Sequence, residues 1–221
     1  MTRTTFRDRQ ASILPSQALK GASVAIVGLG TLGSWTALAL AKMGVPKLAL
    51  WDGDHIEEHN APLQFYLRTA AGLPKAQTLA NSLRGHGARG ITVRPMWNGD
   101  PIAAQVIVSA VDQWDLRRRL FMEAPLRART THFIDLRAGR EALLIYVANL
   151  SNVLHHHAYL DSLSRTPLAL DCHEQGIVYV GMRAGAEVAA LVAGILRNQP
   201  VPFRQLVNLN LFDTEVMHQP R

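Results

Sequence analysis

The hydrophobic residues of this chain fall into short continuous runs that alternate with stretches of helical periodicity. Continuous apolar runs of this length are typical of strands buried on both faces of a parallel sheet. The runs that predict strands are 23–27, 47–51, 91–95, 106–111, 131–135 and 142–148. The segments that predict helices are 32–43, 75–84, 116–124 and 178–197, the first of them ending at Gly44. The alternation predicts an α/β fold.

Three other segments are less regular. Residues 6–19 contain Pro15 and predict a helical or irregular N-terminal arm, and residues 149–172 read as a loop-rich crossover. Residues 205–212 alternate like a single strand, which we expect to add antiparallel to the sheet edge. With no internal repeat or linker, the sequence predicts one domain over residues 1–221. It comprises an arm (1–20), a nucleotide-binding core (21–135) and a C-terminal part with the crossover loop (136–221).

Glycines follow the first predicted strand and open the first predicted helix. Gly28, Gly30 and Gly33 permit a tight turn, close approach of a phosphate, and close packing of helix on strand. Asp52 ends the second strand, where an acidic residue can bind a ribose hydroxyl. This pattern predicts a Rossmann-like, mostly parallel sheet with helices on both faces and antiparallel C-terminal strands. Dehydrogenases, flavin enzymes, methyltransferases and adenylating enzymes share it, so it does not decide between them.

Composition narrows the function classes. Hydrophobic residues make up 48% of the chain and charged residues 18%, as in a folded domain with a core. Cys172 is the single cysteine, which excludes an internal disulfide and paired-cysteine zinc sites. The net charge is +6 but aromatics are only 6%, so we expect Arg117–Arg119 to form a solvated face with some anion contacts, and no nucleic-acid binding.

The chain shows no sign of membrane targeting. Apolar stretches such as 188–196 are too short to span a membrane, and the basic N-terminus lacks the apolar segment of a secretory signal. We therefore expect a cytoplasmic protein without a membrane partner.

A second group of residues accompanies the glycine loop in a fixed order. The group consists of Arg9-Gln10, Asp52-Gly53-Asp54, Asn60, Gln64, Gly72-Leu73-Pro74-Lys75 and Asp112. In order and spacing it resembles the ThiF/MoeB/HesA family, the bacterial relatives of ubiquitin-activating enzymes. The resemblance covers roughly residues 5 to 135, is specific as a set, and extends more loosely to the C-terminal helix.

The resemblance implies a homodimeric adenylyltransferase that uses ATP and Mg²⁺. Its substrate would be the C-terminal carboxylate of a ubiquitin-like or sulfur-carrier protein, or of a small peptide. The implied nucleotide-binding residues are Gly28, Gly30, Thr31, Gly33, Asp52, Asp54, Asn60, Gln64 and Lys75. Among them Asp52 would hold the ribose, whereas Asn60 and Lys75 would contact the phosphates. Asp112 would hold Mg²⁺, and Arg9 would reach into the neighbouring subunit's site.

Several of these assignments have alternatives. Lys75 is also explained as a surface lysine at a helix start, and Asp112 as an N-cap of the helix at 116. Arg7 competes with Arg9. Leu63 stands where relatives have a phosphate-binding arginine, and Arg68 is a candidate replacement.

Cys172 and the histidine run carry two further hypotheses. Cys172 lies shortly before the last predicted helix, as does the thioester-forming cysteine of some relatives, and His173 would favour its thiolate. The alternative is a small buried apolar residue. Residues 155–157 are consecutive histidines, for which a loop or partner contact is favoured over a metal site.

Three functions are consistent with the sequence. The leading hypothesis is adenylation of a carboxylate, followed in one version by transfer to Cys172. The second is a nucleotide-binding interaction module without turnover, which Leu63 motivates. The third is an NAD-dependent oxidoreductase, which the glycine loop and Asp52 permit.

Overall fold

Eight strands form one sheet in the computed structural model, which describes residues 6–125, 129–164 and 177–220. The order across the sheet is β3-β2-β1-β4-β5-β6-β7-β8. The strands are β1 (Ser23–Val27), β2 (Lys47–Trp51), β3 (Gly90–Arg94), β4 (Val106–Ser109), β5 (His132–Gly139), β6 (Ala142–Asn149), β7 (Arg204–Asn208) and β8 (Asp213–Met217). Strands β1 to β5 pair in parallel, and β6 to β8 continue the sheet antiparallel. The predicted fold class is confirmed.

Helices cover both faces of this sheet. They are α1 (Thr31–Met43), α2 (Lys75–Gly85), α3 (Trp114–Glu123), α4 (Val153–Ser164) and α5 (Val178–Leu196). Because successive strand residues point to opposite faces, Ile26 packs with α1, α2 and α5, whereas Ala25 packs with α3 and α4. Helix α1 is followed by Gly44, which adopts φ +87° and forms the left-handed C-terminal cap that was predicted there.

Helix α5 packs closely on α1 because small residues line the contact. A Cβ at Gly185 would lie 2.7 Å from the backbone oxygen of Trp35. Among the described helices, α5 is long and apolar enough to cross a membrane by length and composition, and more than half of it is buried. From the sequence, the apolar stretch at 188–196 was expected to be too short to span a membrane. That expectation was wrong, because the stretch belongs to a 19-residue helix that is long enough. Its packing is that of a core helix.

Three predictions differ from the structure by more than two residues. Strand β5 continues past Asp135 to Gly139, because the polar residues at its end are buried and paired. Residues 153–164 form α4 instead of a loop, and the fully buried Tyr159 anchors that helix in the core. The single strand predicted over 205–212 ends at Asn208, and the chain turns back through Phe212, with φ 53°, into β8.

Candidate nucleotide-binding and adenylation site

The glycine loop joins β1 to α1 at the point where the strand order reverses, between β1 and β4. Gly28 has φ +87°, and a Cβ there would lie 2.7 Å from the backbone oxygen of Ala110. A Cβ at Gly33 would lie 1.9 Å from the Gly28 oxygen. These two glycines are therefore required by backbone packing, at the kind of crevice where open α/β sheets bind ligands.

Gly30 differs from its two neighbours because space is open around it. A Cβ on Gly30 would meet only the Gln64 Nε2, at 3.9 Å. Gly30 is the N-cap of α1 and offers no side-chain cap, so N–H groups of the first turn, which begins at Thr31, are free for an anion. The open space at a helix N-terminus fits a phosphate group.

Asp52 fixes this loop from the end of β2. Its carboxylate accepts a 2.7 Å hydrogen bond from the Leu29 N–H and a 2.8 Å bond from the Asp54 N–H. Each carboxylate oxygen can accept further bonds. The contact between Asp52 and a ribose therefore stays a prediction that the geometry allows.

Lys75 is buried at the start of α2, with 8% of its surface exposed. Its Nζ lies 3.2 Å from a carboxylate oxygen of Asp54. The alternative reading of Lys75 as a surface lysine is wrong. Asp54 joins this ammonium to the Asp52 segment, so the acidic pair and the lysine lie in one cluster.

Asn60 and Gln64 lie on the segment between β2 and α2. Asn60 is buried, and its Oδ1 accepts a 3.0 Å bond from the Glu57 N–H, which leaves its amide NH₂ available to a ligand. The Gln64 side chain lies nearest to Gly30, and its Oε1 is buried without a hydrogen bond to any described residue. A buried amide oxygen without a partner beside the open space is consistent with a ligand there.

Two residues that the sequence analysis missed hold this segment on the glycine loop. The Tyr66 hydroxyl donates a 2.9 Å bond to the Leu29 oxygen, and the Trp35 Nε1 donates one of the same length to the Leu63 oxygen. Burial, together with the charges of Asp52 and Asp54, raises the pKa of Tyr66 far above its usual value, so the hydroxyl stays protonated. Aromatic residues at these positions carried no signal in a single sequence.

Arg68, the candidate replacement for the arginine that relatives have at position 63, pairs with a neighbouring acidic residue. The Arg68 Nε donates a 2.7 Å bond to Glu58, and both side chains are exposed. The segment around Leu63 is instead tied down through its backbone by Trp35. The proposed substitution of Arg68 for the missing charge stays a prediction.

Asp112 follows β4 and is exposed. Helix α3 begins at Trp114 with Gln113 as its N-cap, so the reading of Asp112 as an N-cap is wrong. Within the described ranges its carboxylate has no hydrogen bond or ion pair, and no group of three or more His, Cys, Asp or Glu side chains could hold a metal. A single carboxylate fits Mg²⁺ when nucleotide phosphates and water supply the other ligands.

A buried ionic cluster lies behind Asp112, and the sequence analysis missed it. Arg117 and Arg137 both donate to the carboxylate of Asp135, which is fully buried. Burial acts to lower the pKa of Arg137, but the charge and hydrogen bond of Asp135 outweigh it and raise that pKa above its usual value. Arg117 is therefore not part of the solvated face predicted for 117–119. Its spacing of three and four residues from Leu120 and Phe121 was the available signal.

The N-terminal arm separates its two arginines. Arg7 folds onto its own chain, donating 2.8 Å to the Leu14 oxygen and lying against Gly44. Arg9 is exposed on a 3-10 turn, Asp8–Gln10, and makes no hydrogen bond to another described residue. Of the two arginines considered for the neighbouring subunit's site, Arg7 is bound to its own chain and Arg9 is exposed.

Cys172 lies outside the described residues, as does His173. The histidine run lies on α4, where His155 is buried and accepts a 3.3 Å bond from the Asn149 N–H, while His157 is exposed. Consecutive histidines therefore point in different directions, and no metal cluster forms among the residues that the structure describes.

The fold and the site geometry agree with a comparison against known families, in which the sequence model of the ThiF family matches residues 7–213. The chain belongs to the ThiF family. The resemblance drawn from the sequence is confirmed, including its looser extension from residue 135 to the C-terminal helix.

Curated relatives match this ThiF-family chain over a shorter stretch. "Ubiquitin-like modifier-activating enzyme 5" of Culex quinquefasciatus is 37% identical over 75 residues, 34% of this chain and 19% of the relative. "tRNA threonylcarbamoyladenosine dehydratase" of Escherichia coli K12 is 38% identical over 69 residues, 31% of this chain and 26% of the relative. The matched regions thus span about a fifth to a quarter of the curated relatives' length.

Solved structures match almost the whole fold of this family member. Escherichia coli MccB in complex with ATP has a TM-score of 0.74 at 18% identity, covering 94% of this chain and 67% of MccB. MccB with succinimide gives 0.75 at 17% identity over 99% and 73%. The structure of PaaA gives 0.71 at 19% identity over 92% and 66%. At these identities the likeness establishes the fold.

Proposed function

We propose that this protein uses ATP to adenylate a C-terminal carboxylate, releasing pyrophosphate and leaving an acyl-adenylate. The observation that carries the proposal is the open space at Gly30, which lies at the α1 N-terminus beside the buried amide of Gln64. The buried Lys75, paired with the exposed carboxylate of Asp54, adjoins it through Asp52. Membership in the ThiF family supports the reaction class.

The chemistry requires fixed positive charge. Attack of a carboxylate oxygen on the α-phosphorus forms an acyl–phosphate bond and breaks the bond to pyrophosphate, so negative charge grows on the phosphate oxygens. The α1 N-terminus, the Lys75 ammonium and the Asn60 amide would stabilise that charge. Lys75 is held by Asp54 and does not have to be oriented during the reaction.

Mg²⁺ is part of the proposal. Asp112 would hold it together with phosphate oxygens, and the bound ion would neutralise charge on the departing pyrophosphate. The exposed carboxylate after β4 supports this assignment.

For the substrate, we propose the C-terminus of a small peptide or of a ubiquitin-like or sulfur-carrier protein. Solved structures with this fold include MccB with the peptide MccA, and a curated relative is a ubiquitin-like modifier-activating enzyme. Transfer of the acyl group from the adenylate to Cys172, with release of AMP, is a secondary proposal.

A homodimer in the cytoplasm is the proposed working form. Arg9 would extend from one subunit into the site of the other, and the engagement of Arg7 within its own chain supports Arg9 for that role. The assembly would give each site one cation that its own chain does not supply.

ATP–pyrophosphate exchange tests the proposal. Purified protein with Mg²⁺ should exchange label only when a candidate partner with a free C-terminal carboxylate is present. Lys75→Ala should abolish exchange, while Lys47→Ala, which removes an exposed lysine from β2, should not.

One outcome would count against adenylation, and another against the role of Lys75. ATP binding without exchange in a verified partner complex would favour the interaction module that Leu63 motivates. Exchange that persists at full rate in Lys75→Ala would remove that residue from the phosphate site.

A further inference from the structure

Arg117, Asp135 and Arg137 form a buried cluster with two positive charges and one negative charge. The exposed fractions of the three residues are 4%, 0% and 7%. One carboxylate faces two guanidinium groups, so one positive charge is uncompensated within the cluster. Since Arg137 alone would balance Asp135, the presence of Arg117 calls for another explanation.

The contacts of Arg117 supply that explanation. Its Nη2 donates to the backbone oxygen of Val111, the residue immediately before Asp112, and its Nη1 donates 2.9 Å to the Leu136 oxygen. The planar guanidinium thus joins the turn after β4 to the backbone of β5. A lysine has a single nitrogen and cannot reproduce this fork.

The remaining members of the cluster fix the position of that guanidinium. Asp135 accepts from Arg117 on one oxygen and from the Arg137 Nε, at 2.7 Å, on the other. Arg137 in turn donates 2.9 Å to the Ser162 hydroxyl on α4. The Cζ atoms of Arg117 and Arg137 lie 5.5 and 5.0 Å from the centroid of the Trp114 ring. Arg117 therefore has little freedom to move.

We propose that Arg117 is a positioning residue for the metal-binding carboxylate, holding the Val111–Asp112 turn so that Asp112 faces the nucleotide phosphates. The inference rests on the proposed function of Asp112 and goes beyond it. The contacts of Arg117 are to Asp135 and to the Leu136 and Val111 oxygens, so its effect on the ion would be indirect. Its effect is carried by the Val111 carbonyl and depends on Asp135 to orient the guanidinium.

ATP binding measured by calorimetry, in EDTA and in Mg²⁺, tests this inference without turnover. Arg117→Met leaves Asp135 and Arg137 as a balanced pair, so we expect a folded protein by circular dichroism. Its affinity for ATP in EDTA should equal that of the unsubstituted protein. The tightening by Mg²⁺ should fall by about tenfold or more. Arg119→Met, on the exposed face of the same helix, is the matched control and should change neither value.

A double substitution identifies the route of the effect. Asp112→Ala should remove the tightening by Mg²⁺, and adding Arg117→Met to it should cause no further loss, because both act on the same ion. Arg117→Lys, which keeps the charge but not the fork, should restore at most part of the Mg²⁺ effect. If Arg117→Met does not fold, this lysine variant carries the test.

Three results would overturn the inference. These are an undiminished Mg²⁺ effect in Arg117→Met, an equal loss of affinity with and without Mg²⁺, and an unsubstituted protein whose ATP affinity ignores Mg²⁺. A protein that shows the Mg²⁺ effect but no pyrophosphate exchange would contradict the proposed function and leave the inference on Arg117 standing.

Discussion

The indole Nε1 of Trp35 donates a 2.9 Å hydrogen bond to the backbone oxygen of Leu63, joining α1 to the segment that carries Asn60 and Gln64. The Trp35 ring also lies 5.2 Å from that of Phe65. The segment around position 63 therefore keeps its place beside the proposed nucleotide site through a backbone contact.

Removing this bond should weaken nucleotide binding. Trp35→Phe keeps an aromatic ring but loses the donor, and a lost hydrogen bond of about 1 kcal/mol corresponds to roughly fivefold in affinity for ATP. Titration of ATP by fluorescence or calorimetry measures the change. Trp97→Phe is the matched control, because Trp97 makes the same kind of bond, 2.7 Å to the Asp100 oxygen. Equal affinities in the two variants would contradict the role of Trp35.

Two glycines of the same loop should respond to alanine in opposite ways. Gly33→Ala places a Cβ on the Gly28 oxygen, so we expect a loss of stability that lowers Tm by roughly 4 °C or more. Gly30→Ala meets no backbone atom and should keep the Tm, while its methyl group intrudes on the phosphate space and weakens ATP binding by about tenfold. Thermal unfolding and ATP titration of both variants check this. A stable Gly30→Ala that binds ATP normally would show that the space at Gly30 is not the phosphate site.

The role proposed for Arg9 can be tested by mixing two inactive variants. Arg9→Ala and Lys75→Ala should each lack exchange activity alone. If Arg9 acts in the neighbouring site of a two-fold dimer, half of the dimers in an equal, re-equilibrated mixture are mixed and each has one complete site, which gives about a quarter of full activity. Mixing Arg7→Ala with Lys75→Ala is the comparison for the competing arginine. No recovery with Arg9→Ala would place its function, if any, within its own chain.

His132 should make stability depend on pH. Burial, with a smaller effect from His155, lowers the pKa of His132 from 6.5 to about 4, so the folded protein holds it neutral while the unfolded chain binds a proton below 6.5. The free energy of unfolding is therefore highest above pH 6.5. It falls by on the order of 1 to 2 kcal/mol as the pH drops from 6.5 to 4. Urea unfolding across this range measures it.

His132→Gln should flatten the pH dependence, because glutamine cannot take up the proton. His59→Gln, at an exposed position, should leave it unchanged. An unaltered slope in His132→Gln would assign the acid sensitivity to other groups.

The sequence was sufficient for the parallel half of the fold because its signals are local. Continuous apolar runs, the glycine loop and Gly44 each act within a few residues, and they located β1, α1 and β2 to within about one residue. The site motifs were similarly recognisable as an ordered set. The conformation of Lys75, buried against Asp54, depends on packing that no local pattern contains.

The errors share a physical cause, namely polar residues buried by partners distant in sequence. Asp135 reads as the end of a strand until its pairing with Arg117 and Arg137 is known. The histidines at 155–157 concealed α4 in the same way, since the burial of His155 depends on Asn149 and Gln219. Such arrangements become visible only in three dimensions.

The pairing of β5 with β6 has a consequence for how the chain folds. The two strands pair over their full lengths, from His132 with Asn149 to Gly139 with Ala142, around a two-residue turn with Arg140 at φ 45°. A hairpin of this kind closes in microseconds, whereas the parallel pairs must wait for long crossovers to close. We expect pulse-labelling hydrogen exchange to find the amides of β5 and β6 protected before those of β1 and β2. The last part of the sheet to form would then be the half that carries the proposed nucleotide site, so ATP could bind only at the end of folding.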